Sequence, residues 1–241
     1  SKKSKRSKKT SMVSSFYMDQ IPVTNTHYVE FLNRMLPKIS VENAVVRGDV
    51  NIWMFLGEVT EGYEPIIFKN NKFSVKNPSF AKRPVVRVTA YGALAYARYY
   101  GKRLPTVWEW LLALQKGISE MNSIADNAQK SSQKIDDVPE ENLSVKPSGT
   151  NDVAPSVVSK LEKNQLGIRG INQGLGEWGI RDLDAYIGDF AGKSRFVILG
   201  AIRKDAAESP GKVSILPRFP WEAFEEVGFR TVIDAQEIET R

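Results

Sequence analysis

The sequence predicts an α+β fold with few helices, short strands and much irregular structure. Its apolar segments are brief and switch between a two-residue and a three-to-four-residue period, and 17 glycines and 12 prolines punctuate them. With 241 residues, 41% of them hydrophobic, one domain can bury a substantial core. No apolar run reaches the roughly 18 residues of a membrane span, and no signal-peptide core is read after the basic start.

Each element has its own signal. SMVSSFYMDQIPV alternates and is rich in aromatic and β-branched residues, as a strand is, and TNTHYVEFLNRML then changes period. Tyr28, Phe31, Leu32 and Met35 fall at i, i+3, i+4 and i+7 of one helical face, with Thr24 or Asn25 as N-cap and Pro37 as terminator. His27 lies off that stripe and reads as an exposed or partly packed helix residue. Residues 43–83 read as two or three short strands and loops, with a turn at Asn70 to Lys72. The triplet Arg47-Gly48-Asp49 spells a cell-adhesion motif, but three residues recur by chance too often to carry that function.

Residues 84–114 are the most legible part. PVVRV reads as a buried strand, Thr89 caps a helix through Ala93, Leu94 and Ala97, and Gly101 stands where a left-handed residue ends it. Pro105 then holds Leu104 extended, Thr106 is the next N-cap, and Glu109 sits three residues on. That is a capping box, in which each side chain bonds the other residue's amide. Trp108, Leu111 and Leu112 form the expected apolar face, with Trp110 and Leu114 flanking it.

From about 115 to 163 the composition turns polar, which predicts an insertion or long loop with one short helix around Ser156 to Leu161. GLGEWG, SRFVILGAI, KVSILPRF and EVGFRTVI then return as strand-like pieces. The chain therefore divides into a basic disordered tail, residues 1–11, and a single domain, residues 12–241, with its insertion.

The formal net charge of +6 comes from that tail, whose residues 2–9 hold six Lys or Arg, leaving 28 basic and 28 acidic residues elsewhere. Nucleic-acid or anionic-membrane attachment is accordingly expected only through residues 1–10. The absence of cysteine excludes disulfides, thiolate metal sites and cysteine nucleophiles, and a lone histidine excludes any metal site built on several imidazoles of one chain.

Four segments, FYMDQIPVTNTHYVEFL, PVVRVTAYGALAYARYYGKRLPTVWEW, NQLGIRGINQGLGEW and VGFRTV, resemble in order and spacing the sulfatase-modifying family founded on the formylglycine-generating enzyme. The motif from Gly101 to Trp110 matches without a gap. The resemblance implies a C-type-lectin-like α+β fold in which Thr106, Glu109, Trp110, Trp178, Phe229 and Arg230 are structural. Arg230 is expected to pair with a buried carboxylate or carbonyls. Related domains open with a strand containing P-G-G-x-F-x-M-G, which nothing before Ser15 matches; the chain is then part of something longer, or the basic tail stands in that strand's place.

The family's oxidases use a cysteine pair to bind copper. The corresponding stretch here, LGAIRKDAAESPGKV, offers Asp205, Ser209 and Pro210, which cannot act as soft thiolate ligands. The iron-dependent sulfoxide synthases of the same family need several histidines. Calcium is the remaining family cofactor: the family's ligand segment is matched here by Asn164, Gly167, Glu177 and Trp178, while Gly170 stands where the family has Asp. Glu177 is therefore either a calcium ligand, helped by carbonyls and Asp182 or Asp184, or a carboxylate hydrogen-bonded to a loop amide beside a core tryptophan.

The expected function is a catalytically degenerate family member, a non-catalytic binding or scaffold module with a protein partner or a larger assembly. Its N-terminal wording is also similar to family lipoproteins of bacterial gliding and secretion machinery, which implies a bacterial periplasm or cell envelope. Arg203, Lys204, Arg218, Phe219 and Trp221 are the candidate ligand or partner surface, with core closure by Phe219 and Trp221 as the alternative. An enzyme using Asp182, Asp184, Asp189 and Asp205 is the rival reading.

Overall fold

In the computed structural model, which describes residues 13–114, 154–181, 195–200, 202 and 213–239, every described strand is five residues or shorter. Tight hairpins make them so. Strands β2 (Ile39–Glu42), β3 (Val45–Gly48) and β4 (Asn51–Phe55) form an antiparallel meander, and β5 (Ile66–Lys69) pairs with β6 (Lys72–Val75). Asn43-Ala44, Asp49-Val50 and Asn70-Asn71 all have positive φ, from 48 to 63°, the twist that two-residue hairpins require. Four strands thus fall within 43–83 where two or three are expected. Two of the three turns contain Ala or Val at a left-handed position and no glycine, so the usual hairpin signal is missing.

Helix α1 (Asn25–Met35) starts at Thr24, whose Oγ1 accepts from the His27 amide at 3.4 Å. His27 answers through Nδ1, which accepts from the Thr24 amide at 3.5 Å, so the lone histidine is an exposed capping residue. Tyr28, Phe31 and Leu32 are fully buried, and Pro37 lies in a short 3-10 turn, Leu36–Lys38, that ends the helix.

Residues 84–88 are buried as expected but are not a strand. Arg87 has φ +58°, and the segment's amides go to separate partners: Val85 donates to the Val23 carbonyl and Arg87 to that of Phe224. Pro84 and Val88 make only isolated bridges, to Thr24 and Met54. Helix α2 (Ala90–Tyr99) follows, with Thr89 Oγ1 accepting from the Gly92 amide at 3.0 Å. A Cβ at Gly92 would lie 2.2 Å from the Trp53 carbonyl oxygen, so glycine sets how closely α2 approaches β4. At its far end Gly101 has φ +64°; the Gly101 amide donates to the Arg98 carbonyl and the Lys102 amide to that of Ala97, a Schellman closure.

Helix α3 (Val107–Leu114) shows the reciprocal cap: Glu109 N donates to Thr106 Oγ1 at 3.2 Å and Thr106 N to Glu109 Oε2 at 2.8 Å. The same carboxylate receives Arg103 through Nη1 and Nη2 at 2.7 and 2.6 Å, and Arg103 also pairs with Asp234. Its inward face differs from the expected one. Val107, Trp110, Leu111 and Ala113 are buried while Trp108, Leu112 and Leu114 are only partly covered. In VWEWLLAL nearly every residue is apolar, so periodicity alone cannot choose a face.

The centre is a four-stranded sheet in the order β10 (Val227–Gly228), β7 (Gly176–Ile180), β8 (Phe196–Leu199), β9 (Ile215–Pro217), with β10 and β7 parallel. Alternation divides its faces. Trp178, Ile180, Phe196 and Ile198 pack toward α1 and α2, whereas Val197, Leu199 and Ile215 pack toward Val107, Trp110 and Leu111 of α3. β1 (Phe16–Met18) pairs antiparallel with β11 (Val232–Asp234), which leads into the short α4 (Ala235–Glu239). The helix expected around 156–161 is a single 3-10 turn, Val158–Lys160. Residues 1–11 and 115–153 lie outside the described residues. No described helix is long and apolar enough to cross a membrane.

Two outcomes follow for stability. Thr106→Ala removes one cap acceptor and is expected to cost about 1 kcal/mol in urea unfolding, and Glu109→Ala more, because it also strips Arg103 of two bonds. Burial raises the hydroxyl pKa of Tyr28 and Tyr96 above the ordinary 10.0. The unfolded chain therefore loses these protons first, and stability falls as pH rises beyond about 10. The Tyr28 hydroxyl has no hydrogen-bond partner among the described residues. Tyr28→Phe should leave neutral-pH stability unchanged or higher and move alkaline unfolding, followed by circular dichroism, to higher pH.

Candidate functional site

Alternation along β7 turns Trp178 to one side and Glu177 to the other, into the interface with α3. There both residues are completely buried. Trp178 Nε1 donates to the Val88 carbonyl at 2.9 Å. The Glu177 carboxylate accepts from Trp110 Nε1 at 3.0 Å and from Arg230 twice, Nε to Oε2 and Nη2 to Oε1, each at 2.7 Å.

Arg230 reaches Glu177 because β10 runs beside β7 with Gly228 opposite Glu177, and Phe229 then inserts into the main core. Its guanidinium is also fully buried and donates to the Asp19 carbonyl at 3.3 Å and the Arg169 carbonyl at 3.0 Å. A desolvated guanidinium needs this many acceptors. Arg230 thus meets both a carboxylate and carbonyls, as expected, and the expected structural residues Thr106, Glu109, Trp110, Trp178, Phe229 and Arg230 all lie in or beside the core.

The alternatives for Glu177 separate here. Both of its oxygens are engaged by fixed donors, one of them cationic, and no three His, Cys, Asp or Glu side chains converge among the described residues. This donor set does not fit calcium, which takes six to eight oxygens with open lone pairs. The partners are side-chain donors from α3 and the segment after β10, not a loop amide.

A second constellation is on the surface. After β9 the chain turns through Phe219 to Glu222: Phe219 N donates to Glu222 Oε2 at 2.6 Å, Glu222 N to the Phe219 carbonyl at 3.1 Å, and Tyr91 N to the Pro220 carbonyl at 3.4 Å. This turn holds the Phe219 and Trp221 rings stacked, centroids 4.8 Å apart and 11° from parallel, with 54% and 52% of the two residues exposed. They do not close the core. Phe224 takes that place, 6.2 Å from Trp178, and the Arg218 guanidinium lies 5.7 Å from the Phe224 ring.

Arg203 and Lys204 lie outside the described residues, as do Asp182, Asp184, Asp189 and Asp205. A cleft lined by Pro84, Pro155, Leu161, Gly170, Gln173 and Glu225 contains none of the anticipated ligand or partner residues. Glu222 is the member of the aromatic turn that the sequence reading missed. Its signal was available: a carboxylate three residues after Phe219, the spacing of a side chain that bonds back to an amide.

A lectin-like α+β frame closed by buried tryptophans and a Glu–Arg pair defines a sulfatase-modifying-factor-like domain. The chain belongs to that family: the sulfatase-modifying factor enzyme 1-like domain matches residues 1–235. The crystal structure of CarF has a similar fold, with TM-score 0.51, 15% identity and coverage of 91% of this chain and 86% of that one.

Curated relatives include the serine/threonine-protein kinase pkn1 of Chlamydia caviae, 31% identical over 152 residues, which are 61% of this chain and 22% of that protein. Pkn1 of Chlamydia pneumoniae is 33% identical over 110 residues, 46% of this chain and 16% of the relative. The matched region is thus less than a quarter of either kinase.

Arg230→Met alone should cost about 3–5 kcal/mol, because it leaves Glu177 charged and unpaired in the core. The double variant Glu177→Leu with Arg230→Met should recover part of that loss. Chemical denaturation of the three proteins measures the difference.

Proposed function

We propose that the chain is a non-catalytic binding or scaffold domain, and that its Phe219–Trp221 turn docks a protein partner. The observation that carries this reading is the aromatic pair itself. Two large rings stand half in water on a hydrogen-bonded turn, already ordered before any partner arrives. Burying their exposed parts, roughly 200 Å² in all, is worth about 5 kcal/mol before the costs of association.

The non-catalytic half of the proposal rests on chemistry. The sequence has no cysteine for a copper thiolate and one histidine, which is spent on capping α1. Relatives named as serine/threonine-protein kinases, matched over less than a quarter of their length, support an assembly in which such a domain is one part of a larger polypeptide. This chain has no counterpart of a kinase catalytic loop, since its lone histidine is followed by Tyr28 and Val29 and not by Arg-Asp.

The test is affinity capture of a partner from a bacterial lysate, its identification, and titration with the purified protein. Phe219→Ala combined with Trp221→Ala should weaken the complex by about 30-fold, near 2 kcal/mol, as loss of an aromatic anchor does, with the melting temperature unchanged. Undiminished binding by the double variant rejects this surface. Turnover of a thiol or peptide substrate with dioxygen rejects the non-catalytic reading.

A further inference from the structure

Calcium is the one family cofactor whose ligands survive in part in this sequence, and the structure shows what now surrounds each of them. Both Glu177 oxygens are engaged: Oε1 accepts from Arg230 Nη2, and Oε2 from Arg230 Nε and Trp110 Nε1. Asn164 is equally engaged. Its Oδ1 accepts from the amides of Leu166 and Ile168, both at 3.0 Å, and its Nδ2 donates to the Ala113 carbonyl.

At the position where the family pattern has aspartate, a restored side chain would have to displace Leu161. Gly170 has φ +69°, and a Cβ built there would lie 2.4 Å from Leu161 Cδ1. Three observations therefore agree: a side chain at position 170 would have to displace Leu161, Asn164 is tied to backbone amides, and Glu177 is neutralised by a guanidinium. A divalent ion at Glu177 would also sit beside Arg230 with water excluded, where like charges repel strongly.

We infer that this domain folds and holds its shape without the ion: Glu177 is neutralised from within the chain by Arg230, and the Asn164 carboxamide is held by loop amides. This inference is independent of the docking surface. It assigns Arg230 as an internal counter-cation that ties the segment after β10 to Glu177 of β7 and to the Asp19 and Arg169 carbonyls.

The experiment is thermal unfolding of the full chain in excess EGTA and in millimolar CaCl2, with equilibrium dialysis of calcium alone on the same protein. An ion bound at a hundred times its Kd would raise the melting temperature by several degrees; the expected change is under about 1 °C, with no stoichiometric uptake. A calcium-dependent rise that disappears in Glu177→Gln overturns the inference. A rise that Glu177→Gln leaves intact comes from another position and overturns it as well, because the domain would then still depend on the ion. Asn164→Asp provides a second variant should Glu177→Gln fail to fold. An extra carboxylate would strengthen a real site, so a larger calcium response in Asn164→Asp also overturns the inference, whereas a lowered melting temperature that calcium does not restore supports it.

Discussion

Arg230 turns back from the end of β10 onto Glu177 in β7, and five parts of the chain meet at that contact. The N-terminal segment contributes the Asp19 carbonyl, the loop before β7 the Arg169 carbonyl, β7 the carboxylate, α3 the Trp110 indole, and the segment between β10 and β11 the guanidinium itself. Each charge would be costly to bury alone. Together they are satisfied, and the requirement that all be present fixes how the Asp19 and Arg230 segments sit against the central sheet. Asp19 reinforces the junction by pairing with Lys102 and accepting from the Thr231 hydroxyl.

Around this contact the sheet separates two cores. Because β7 alternates, a single strand delivers Trp178 to the aromatic cluster of Tyr28, Phe31, Tyr96 and Phe229, and Glu177 to the α3 side. Glycines allow the close approaches that this layering needs. At Gly179 an added Cβ would meet Leu199 Cδ1 at 2.5 Å and the Pro105 carbonyl at 3.0 Å, so α3 could not come so near the sheet with any other residue there.

Features written within a few residues of one another were legible in the sequence. The Thr106–Glu109 box, the Thr89 cap and the left-handed Gly101 all depend on spacings of three or so residues, and all three stand in the structure. Distant partners were not. Nothing in the sequence alone chooses Arg230, 53 residues away, and Trp110, 67 residues away, as the donors to Glu177. The inward face of α3 was illegible because its residues are nearly all apolar, and two hairpins were hidden because their turns lack glycine. The exposure of Phe219 and Trp221 depends on Glu222 bonding back to an amide, a contact that pattern reading passes over. Family membership, by contrast, needed only four motifs in order, because glycines, caps and tryptophans hold the frame at short range.

A carboxylate in the core needs a positive charge beside it, and here a side chain supplies it from within the chain. On the surface, the turn after β9 leaves two stacked aromatic rings half exposed. The most direct measurement is a crystal structure grown with calcium chloride and analysed for anomalous scattering at Glu177. The account predicts no ion there and the Arg230 guanidinium in two-pronged contact with the carboxylate. A calcium ion bound to Glu177, with Arg230 displaced, would contradict it.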